Sequence, residues 1–350
     1  MNCIQYAVII EPALSICQGM RVVSAGKICH IHKMMRTVIT QEFATPLLDR
    51  SVAAVGNFDG VHRGHRELFR RVTDTARSLG LPAVVVTFDP HPLRVLRPDA
   101  RRFCLITTAE QKRALIAEND IDLLLVIPFT PAFAGLSAEH FVREVLHGFL
   151  GVQAVVIGHD YAFGKGREGN ERSLAQLGSE LGFTVTALDP VGEGGCLFSS
   201  SAVRQLVGQG AVAEAQQILG RCHRIGGQVV HGREIGRSIG FPTANIVTDN
   251  ELIPADGVYA VWVEVAGVRY MGACSIGINP TFAGGSHTIE VFLFDFSADL
   301  YGQELVIHFV DRLRSIERFS GLPALLEQIN VDVARARQIL AAGLPVTNRS

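Results

Sequence analysis

Two histidines three residues apart, His62 and His65, stand in the stretch VGNFDGVHRGHRELF together with Asp59 and the glycines Gly56, Gly60 and Gly64. Imidazoles at i and i+3 suit zinc, and Asp59 would join them. A catalytic zinc site wants three protein ligands held by outer partners, however, and no H-E-x-x-H or equivalent third-ligand motif is present. The surroundings favour a phosphate instead. The glycines follow a β-branched run, SVAAV, and the histidines fall where a helical pattern opens. A helix start offers backbone N–H groups and a positive dipole end, and glycines let a phosphate approach the backbone. The loop is not a Walker A motif: the nearest run, GHDYAFGKG at Gly158–Gly166, has the wrong spacing and no hydroxyl after Lys165. A G-x-G-x-x-G fingerprint is also missing after the first strand.

A second group of chemically capable residues lies at Val229–Ile246, VVHGREIGRSIGFPTANI. Gly232, Gly236 and Gly240 are each four apart, and glycine and proline at this density between β runs mark a loop. With Arg233 and Arg237 such a loop can fold over phosphates, and Thr243 and Asn245 offer oxygens suited to magnesium. Glycine-rich turns are equally at home in barrels, so composition leaves both readings open. Ser199, Ser200 and Ser201 precede Arg204 in FSSSAVR; taken alone, they read as a helix cap. Glu290, in TIEVFLF, has Ile289 and Val291 on the opposite face of its strand, and alternation does not decide what Glu290 faces.

These residues need elements to hold them. From residue 52 short β-branched runs alternate with amphipathic stretches: SVAAVGNF as a strand, then RGHRELFRRVTDTARSLG as a helix with Leu68, Phe69, Val72, Ala76 and Leu79 on one face and Gly80 as its stop. AVVVTF, DLLLVIPF, VQAVVIG and FTVTAL supply further strands, separated by helical AEQKRALIAEN, AEHFVREVLHGFLG and ERSLAQLGSELG. Strands alternating with helices imply a parallel sheet covered on both faces. Near Gly220 the texture changes to closely spaced β runs with glycine punctuation, which predicts a small antiparallel barrel ending in the helical tail LPALLEQINVDVARARQIL. Two domains are therefore expected, 36–219 and 220–345. Residues 1–35 fit neither and are read as an atypical extension, since Met34 and Met35 offer alternative starts. The CHIH run, Cys29–His32, falls inside it.

Bulk composition narrows the partners. With 32 basic against 34 acidic residues and a pI near 6.6 there is no electrostatic footprint for a nucleic-acid backbone or an anionic membrane, so any bound phosphate is small. The opening apolar stretch lacks a basic leader and is broken by Glu11 and Pro12, and is not read as a signal peptide or membrane span. Seven scattered cysteines without a C-x-x-C pair suit a reducing compartment, and a cytoplasmic protein is expected. Composition sets no oligomeric state.

Four motifs in order, GNFDGVHRGH, TFDPHP (Thr87–Pro92), GHDYAFGKGREGN and FSSSAVR (Phe198–Arg204), resemble the adenylyltransferase half of the bacterial bifunctional riboflavin kinase/FAD synthetase family. The Val229–Ile246 run with G-F-P-T-A-N at its centre, followed by GVYAVWVEVAG, SIGINPTF, TIEVFLFDF and DLYGQELVIHFVDRLR, is similar to its riboflavin kinase half. The resemblance implies a Rossmann-like nucleotidyltransferase domain followed by a six-stranded flavokinase barrel. It implies that the C-terminal domain phosphorylates riboflavin to FMN, and that the N-terminal domain adenylylates FMN to FAD plus pyrophosphate, both with ATP and Mg2+. By the same resemblance His62, His65 and Glu290 are catalytic. Gly56, Asn57, Phe58, Asp59, Gly60, Ser199, Ser200, Ser201 and Arg204 bind ATP or FMN. Gly232, Arg233, Gly236, Arg237, Gly240, Phe241, Pro242, Thr243, Asn245, Asn279 and Thr281 bind ATP or riboflavin, Thr243 and Asn245 through the metal. The chain departs from the family at Ser201, where a threonine is usual, and at His159, where an acidic residue is common. A flavin- or nucleotide-binding regulator with reduced catalysis is the alternative of a different class.

Overall fold

The computed structural model describes residues 8–9, 34–99, 103–232, 240–278 and 287–343. Its contacts divide the chain into two compact units, residues 1–103 with 109–192, and residues 104–108 with 193–350. The second unit thus begins ahead of the change of texture near Gly220. The helices α7 (Ser200–Gly208) and α8 (Val212–Leu219) explain this, because they bury Val203, Val207, Ala215, Ile218 and Leu219 with Ile106 and Leu252.

The first unit is built on a sheet of β1 (Val8–Ile9), β2 (Arg36–Ile39), β3 (Ser51–Val55), β4 (Ala83–Asp89), β5 (Leu123–Pro128), β6 (Val152–Gly158) and β7 (Thr184–Leu188). The order is β1-β2-β5-β4-β3-β6-β7, with every pair parallel except the two-residue β1 at the β2 edge. From β3 onward the strands run outward first one way, through β4 and β5, then the other, through β6 and β7. This places a topological switch point between β3 and β6, where open α/β sheets bind ligands beyond the strands' carboxyl ends. The strand β2 was not expected. Its four residues, RTVI, carry too short an apolar run to stand out, and they are a strand because β5 offers a parallel partner.

Around the sheet lie α1 (Arg63–Leu79), α2 (Pro92–Leu96), α3 (Ala109–Ala117), α4 (Pro131–Ala134), α5 (Ala138–His140) and α6 (Glu171–Leu181). In α1 the residues Leu68, Phe69, Val72 and Ala76 are buried against the sheet as their spacing predicts, and Gly80 ends the helix in the left-handed region at φ 65°. Leu79, expected on the same face, is exposed at the last turn. After α5 the helix widens into π geometry over Phe141–Phe149, which turns Phe141, Val142, Val145, Leu146 and Phe149 onto one buried face.

In the second unit a two-residue ribbon, β8 (Gly192–Glu193) with β9 (Cys196–Leu197), precedes α7. The strands β10 (His223–Val230), β11 (Ala244–Val247), β12 (Gly257–Val265), β13 (Val268–Ile278), β14 (His287–Leu293) and β15 (Glu304–Arg314) form a closed antiparallel barrel in the order β10-β11-β14-β13-β12-β15. Alternate residues fill it: Ile225, Ile246, Val261, Ile276, Val291 and Phe309 point inward and are fully or nearly fully buried. On the outside α9 (Leu322–Ala341) packs Ala336 and Leu340 against Ala260 and Phe294. Among the described residues no helix is long and apolar enough to cross a membrane.

Candidate active sites

The loop from Gly56 to His62 leaves β3 beside the switch point of the first unit. Its backbone is unusual: Phe58, Gly60 and Val61 have φ of 49°, 81° and 40°. Gly60 takes such an angle freely, whereas Phe58 and Val61 hold it only because their surroundings impose it, as happens at ligand-binding loops. Both side chains are buried, and Phe58 packs edge-on to Phe69 at 4.8 Å and to His65 at 5.2 Å. Gly56 is required by that packing, since a Cβ there would meet the Phe58 ring at 2.8 Å. Asp59 is buried in the same loop.

This loop delivers His62 to the N-cap of α1. The His65 backbone N–H donates to His62 Nδ1 at 3.4 Å, and the two imidazoles stack 3.6 Å apart at 22°. With Nδ1 as acceptor, the neutral His62 ring carries its proton on Nε2 and presents it as a donor. Two imidazoles and a helix N-terminus in one place make a site for the charged oxygens of a phosphate. Among the described residues no group of three or more His, Cys, Asp or Glu side chains is arranged to hold a metal.

TFDPHP ends β4, next to β3. Thr87 donates its hydroxyl proton to the Asn57 carbonyl at 3.1 Å. One residue that the sequence did not single out joins them: Lys112 of α3 brings its ammonium to Phe88 O at 3.1 Å, Thr87 Oγ1 at 3.3 Å and Asn57 O at 3.5 Å. Burial lowers its pKa, with Asp89 and Asp59 opposing. A faint signal existed, because Lys112 is three and four residues before the buried Leu115 and Ile116 and so shares their face of α3. His159 is exposed at the end of β6.

In the second unit Ser199 is the N-cap of α7, its hydroxyl accepting the Ala202 N–H at 3.1 Å. Ser200 and Ser201 fill the first turn, and the half-buried Arg204 donates from Nε to the Cys104 carbonyl at 2.7 Å.

The outer face of the same barrel assembles the other group. Asn245 of β11 is the register partner of Glu290 of β14, and Glu290 is in turn the partner of Ser275 on β13. Ala244, Ile246, Ile289 and Val291 face the core, so Asn245 and Glu290 share the outer face, with Thr243 two residues before Asn245. Strand pairing therefore sets Glu290 beside Asn245 on that face. The backbone at Gly232 lies directly on this cluster, where a Cβ would overlap the Asn245 amide. Gly240 has φ 88°, Phe241 packs edge-on to Phe292 at 5.5 Å, and Pro242 is exposed before Thr243. Arg233, Gly236, Arg237, Asn279 and Thr281 lie outside the described residues.

Comparison with known proteins agrees with both halves. The family model for FAD synthetase matches residues 45–202 and that for riboflavin kinase matches residues 219–340. The bifunctional riboflavin kinase/FMN adenylyltransferase of Escherichia coli strain K12 is 39% identical over 84% of this chain and 94% of its own. That of Bacillus subtilis strain 168 is 39% identical over 82% and 92%. A crystal structure described as a macrolide-efflux protein from Streptococcus pneumoniae has a TM-score of 0.80 at 33% identity, covering 86% of this chain and 98% of that one. Likeness to whole bifunctional relatives, carried through both the parallel-sheet and the barrel halves, means that the chain belongs to the bifunctional riboflavin kinase/FMN adenylyltransferase family.

Proposed function

We propose that the chain is an enzyme of flavin-cofactor synthesis that makes FMN from riboflavin and ATP, and then FAD and pyrophosphate from FMN and a second ATP. Residues 220–345 carry the first reaction and residues 36–219 the second. The observation that carries this reading is the outer barrel face, where strand register sets Glu290 beside Asn245 under the Gly232 backbone.

The two steps ask for different chemistry. In the kinase step the attacking group is the ribityl primary hydroxyl, which is neutral, and Glu290 is the carboxylate that takes its proton as the γ-phosphoryl group transfers. The glycine-rich loop from Gly232, with Arg233 and Arg237, covers ATP, and Gly240, Phe241, Pro242, Asn279 and Thr281 shape the pocket. In the adenylyl step the attacking FMN phosphate oxygen is already ionised at neutral pH, so no strong base is needed. His62, His65 and the start of α1 supply positioning and charge stabilisation at the α-phosphate.

Mg2+ suits the donors proposed for the barrel site: Thr243, Asn245 and Glu290 carry hard oxygens, and Asn245 and Glu290 share the outer face with the Gly232 backbone against the Asn245 amide. When bound there with ATP it neutralises phosphate charge. Thr243 and Asn245 are the residues that would hold it. The partners are small molecules, and the free buried thiols Cys222 and Cys274 support a cytoplasmic setting.

The test is to incubate the protein with riboflavin, ATP and magnesium and to separate the flavins by chromatography. His62→Ala is expected to lower FAD formation by about 100-fold or more while FMN formation stays close to wild type. Glu290→Ala is expected to lower FMN formation by about 100-fold or more while FAD formation from supplied FMN persists. A folded protein in which both substitutions depress both steps alike would refute two separate sites. Finding neither FMN nor FAD with the wild type would favour the regulatory alternative.

A further inference from the structure

Lys112 belongs to the helix AEQKRALIA, and its ammonium is half-buried. It is directed at three oxygens, Phe88 O at 3.1 Å, Thr87 Oγ1 at 3.3 Å and Asn57 O at 3.5 Å. Thr87 also reaches Asn57 O at 3.1 Å, which closes a small network. The oxygens come from the ends of two adjacent strands. Asn57 opens the loop that leads to His62, and Thr87 and Phe88 end β4. Asp89 and Asp59 supply the opposite charge.

A buried ammonium destabilises a fold unless its donors are used and opposite charge is near. Core packing alone would be served better by leucine or methionine. What the ammonium provides is directional attachment of the Asn57 loop carbonyl and the Phe88 strand carbonyl to one rigid helix. The loop that it holds needs that support, because Phe58, Gly60 and Val61 all keep positive φ.

We propose that Lys112 is a positioning residue of the adenylyl-transfer site, its ammonium fixing the Asn57 and Phe88 carbonyls so that the loop after β3 presents His62 and His65 in transfer geometry. Lys112 itself touches no reacting atom. The inference rests on the proposed FMN adenylylation by this domain, and a misplacement of catalytic groups by an ångström is enough to depress turnover.

The test is steady-state kinetics of the full chain. For Lys112→Met, kcat for FAD formation is expected to fall about 10- to 100-fold, with KM for ATP and FMN held within about threefold and riboflavin phosphorylation unchanged. Lys112→Arg, which keeps a charged donor, is expected to recover part of the loss. A kcat within about twofold of wild type, or a rise in KM alone, would overturn the assignment. Should Lys112→Met unfold its domain, Thr87→Val removes the hydroxyl between Asn57 and the ammonium at nearly constant volume; kcat is then expected to fall about 3- to 10-fold, and a wild-type rate would overturn the proposal. Absence of FAD formation by the wild type would instead count against the functional reading on which this one rests.

Discussion

The Asn245 amide stands where it does because residue 232 has no side chain. A Cβ at Gly232 would overlap that amide, so Gly232→Ala must push either the amide off the outer barrel face or the loop away from it. The first movement takes the amide away from Glu290, its register partner, and the second lifts the loop off both. Gly232→Ala is expected to slow riboflavin phosphorylation by about tenfold or more and to leave FAD formation from FMN unchanged, as separate assays of the two steps would measure. Equal rates for variant and wild type in the kinase assay would mean that the close approach has no bearing on catalysis. At this scale the sequence was readable for motif residues and silent on residues acting through others. His62, His65 and Asn245 sit in runs whose types and spacing can carry chemistry, whereas the role of Glu290 comes from the family resemblance alone. Lys112 sits among Glu110, Gln111 and Arg113, and beyond its spacing from Leu115 and Ile116 its oxygen partners follow only from the seating of α3 against the ends of β3 and β4.

Elements were legible where their period was long. The 17 residues of α1 and the 20 of α9 repeat their apolar faces often enough to declare themselves, and the β runs of the barrel follow one another with glycine punctuation. The four residues of β2 do not, and the π turns of Phe141–Phe149 share their apolar spacing with an ordinary helix. What ties α9 to its barrel was also invisible. Arg314 of β15 donates from Nε and Nη2 to the Asp332 carboxylate at 3.0 and 2.9 Å, Gln328 adds an amide donor at 2.9 Å, and Asp332 is almost fully buried. Taken by itself, Asp332 in VDVARARQ reads as a solvated helix residue. Removing it leaves the Arg314 guanidinium buried without its carboxylate, and breaking a buried pair in this way costs about 3–5 kcal/mol. Asp332→Ala is therefore expected to lower the urea midpoint of the second unit, followed through the protein's single tryptophan, Trp262 of β12. A loss below about 1 kcal/mol would reduce the pair to the level of a surface ion pair.

At the scale of the whole molecule the two units have separate cores. Among the described residues the clusters around the parallel sheet contain no residue of the barrel, and the barrel clusters none of the sheet, so a perturbation can be addressed to one of them. His308 is such a handle. It lies on β15 as the register partner of Trp262, with Arg224 opposite on β10. Burial pushes its imidazole down from 6.5 to about 4; Arg269 and Arg224 push the same way, and Glu264, with a carboxylate oxygen 3.6 Å from Nε2, opposes them. Because the folded pKa lies below the unfolded one, the unfolded chain takes up the proton first as pH falls. The contribution of His308 to stability is accordingly complete above pH 6.5 and is lost between there and about pH 4. Full loss amounts to about 3 kcal/mol by linkage. Denaturant unfolding followed by Trp262 emission should show the midpoint of the second unit dropping across that window, and His308→Gln, which cannot take up the proton, should flatten the drop. A midpoint that falls just as steeply in the variant would assign the acid sensitivity of the barrel to other groups. FAD formation from supplied FMN, read on samples held at the same pH values and returned to neutrality, should not follow the His308 titration.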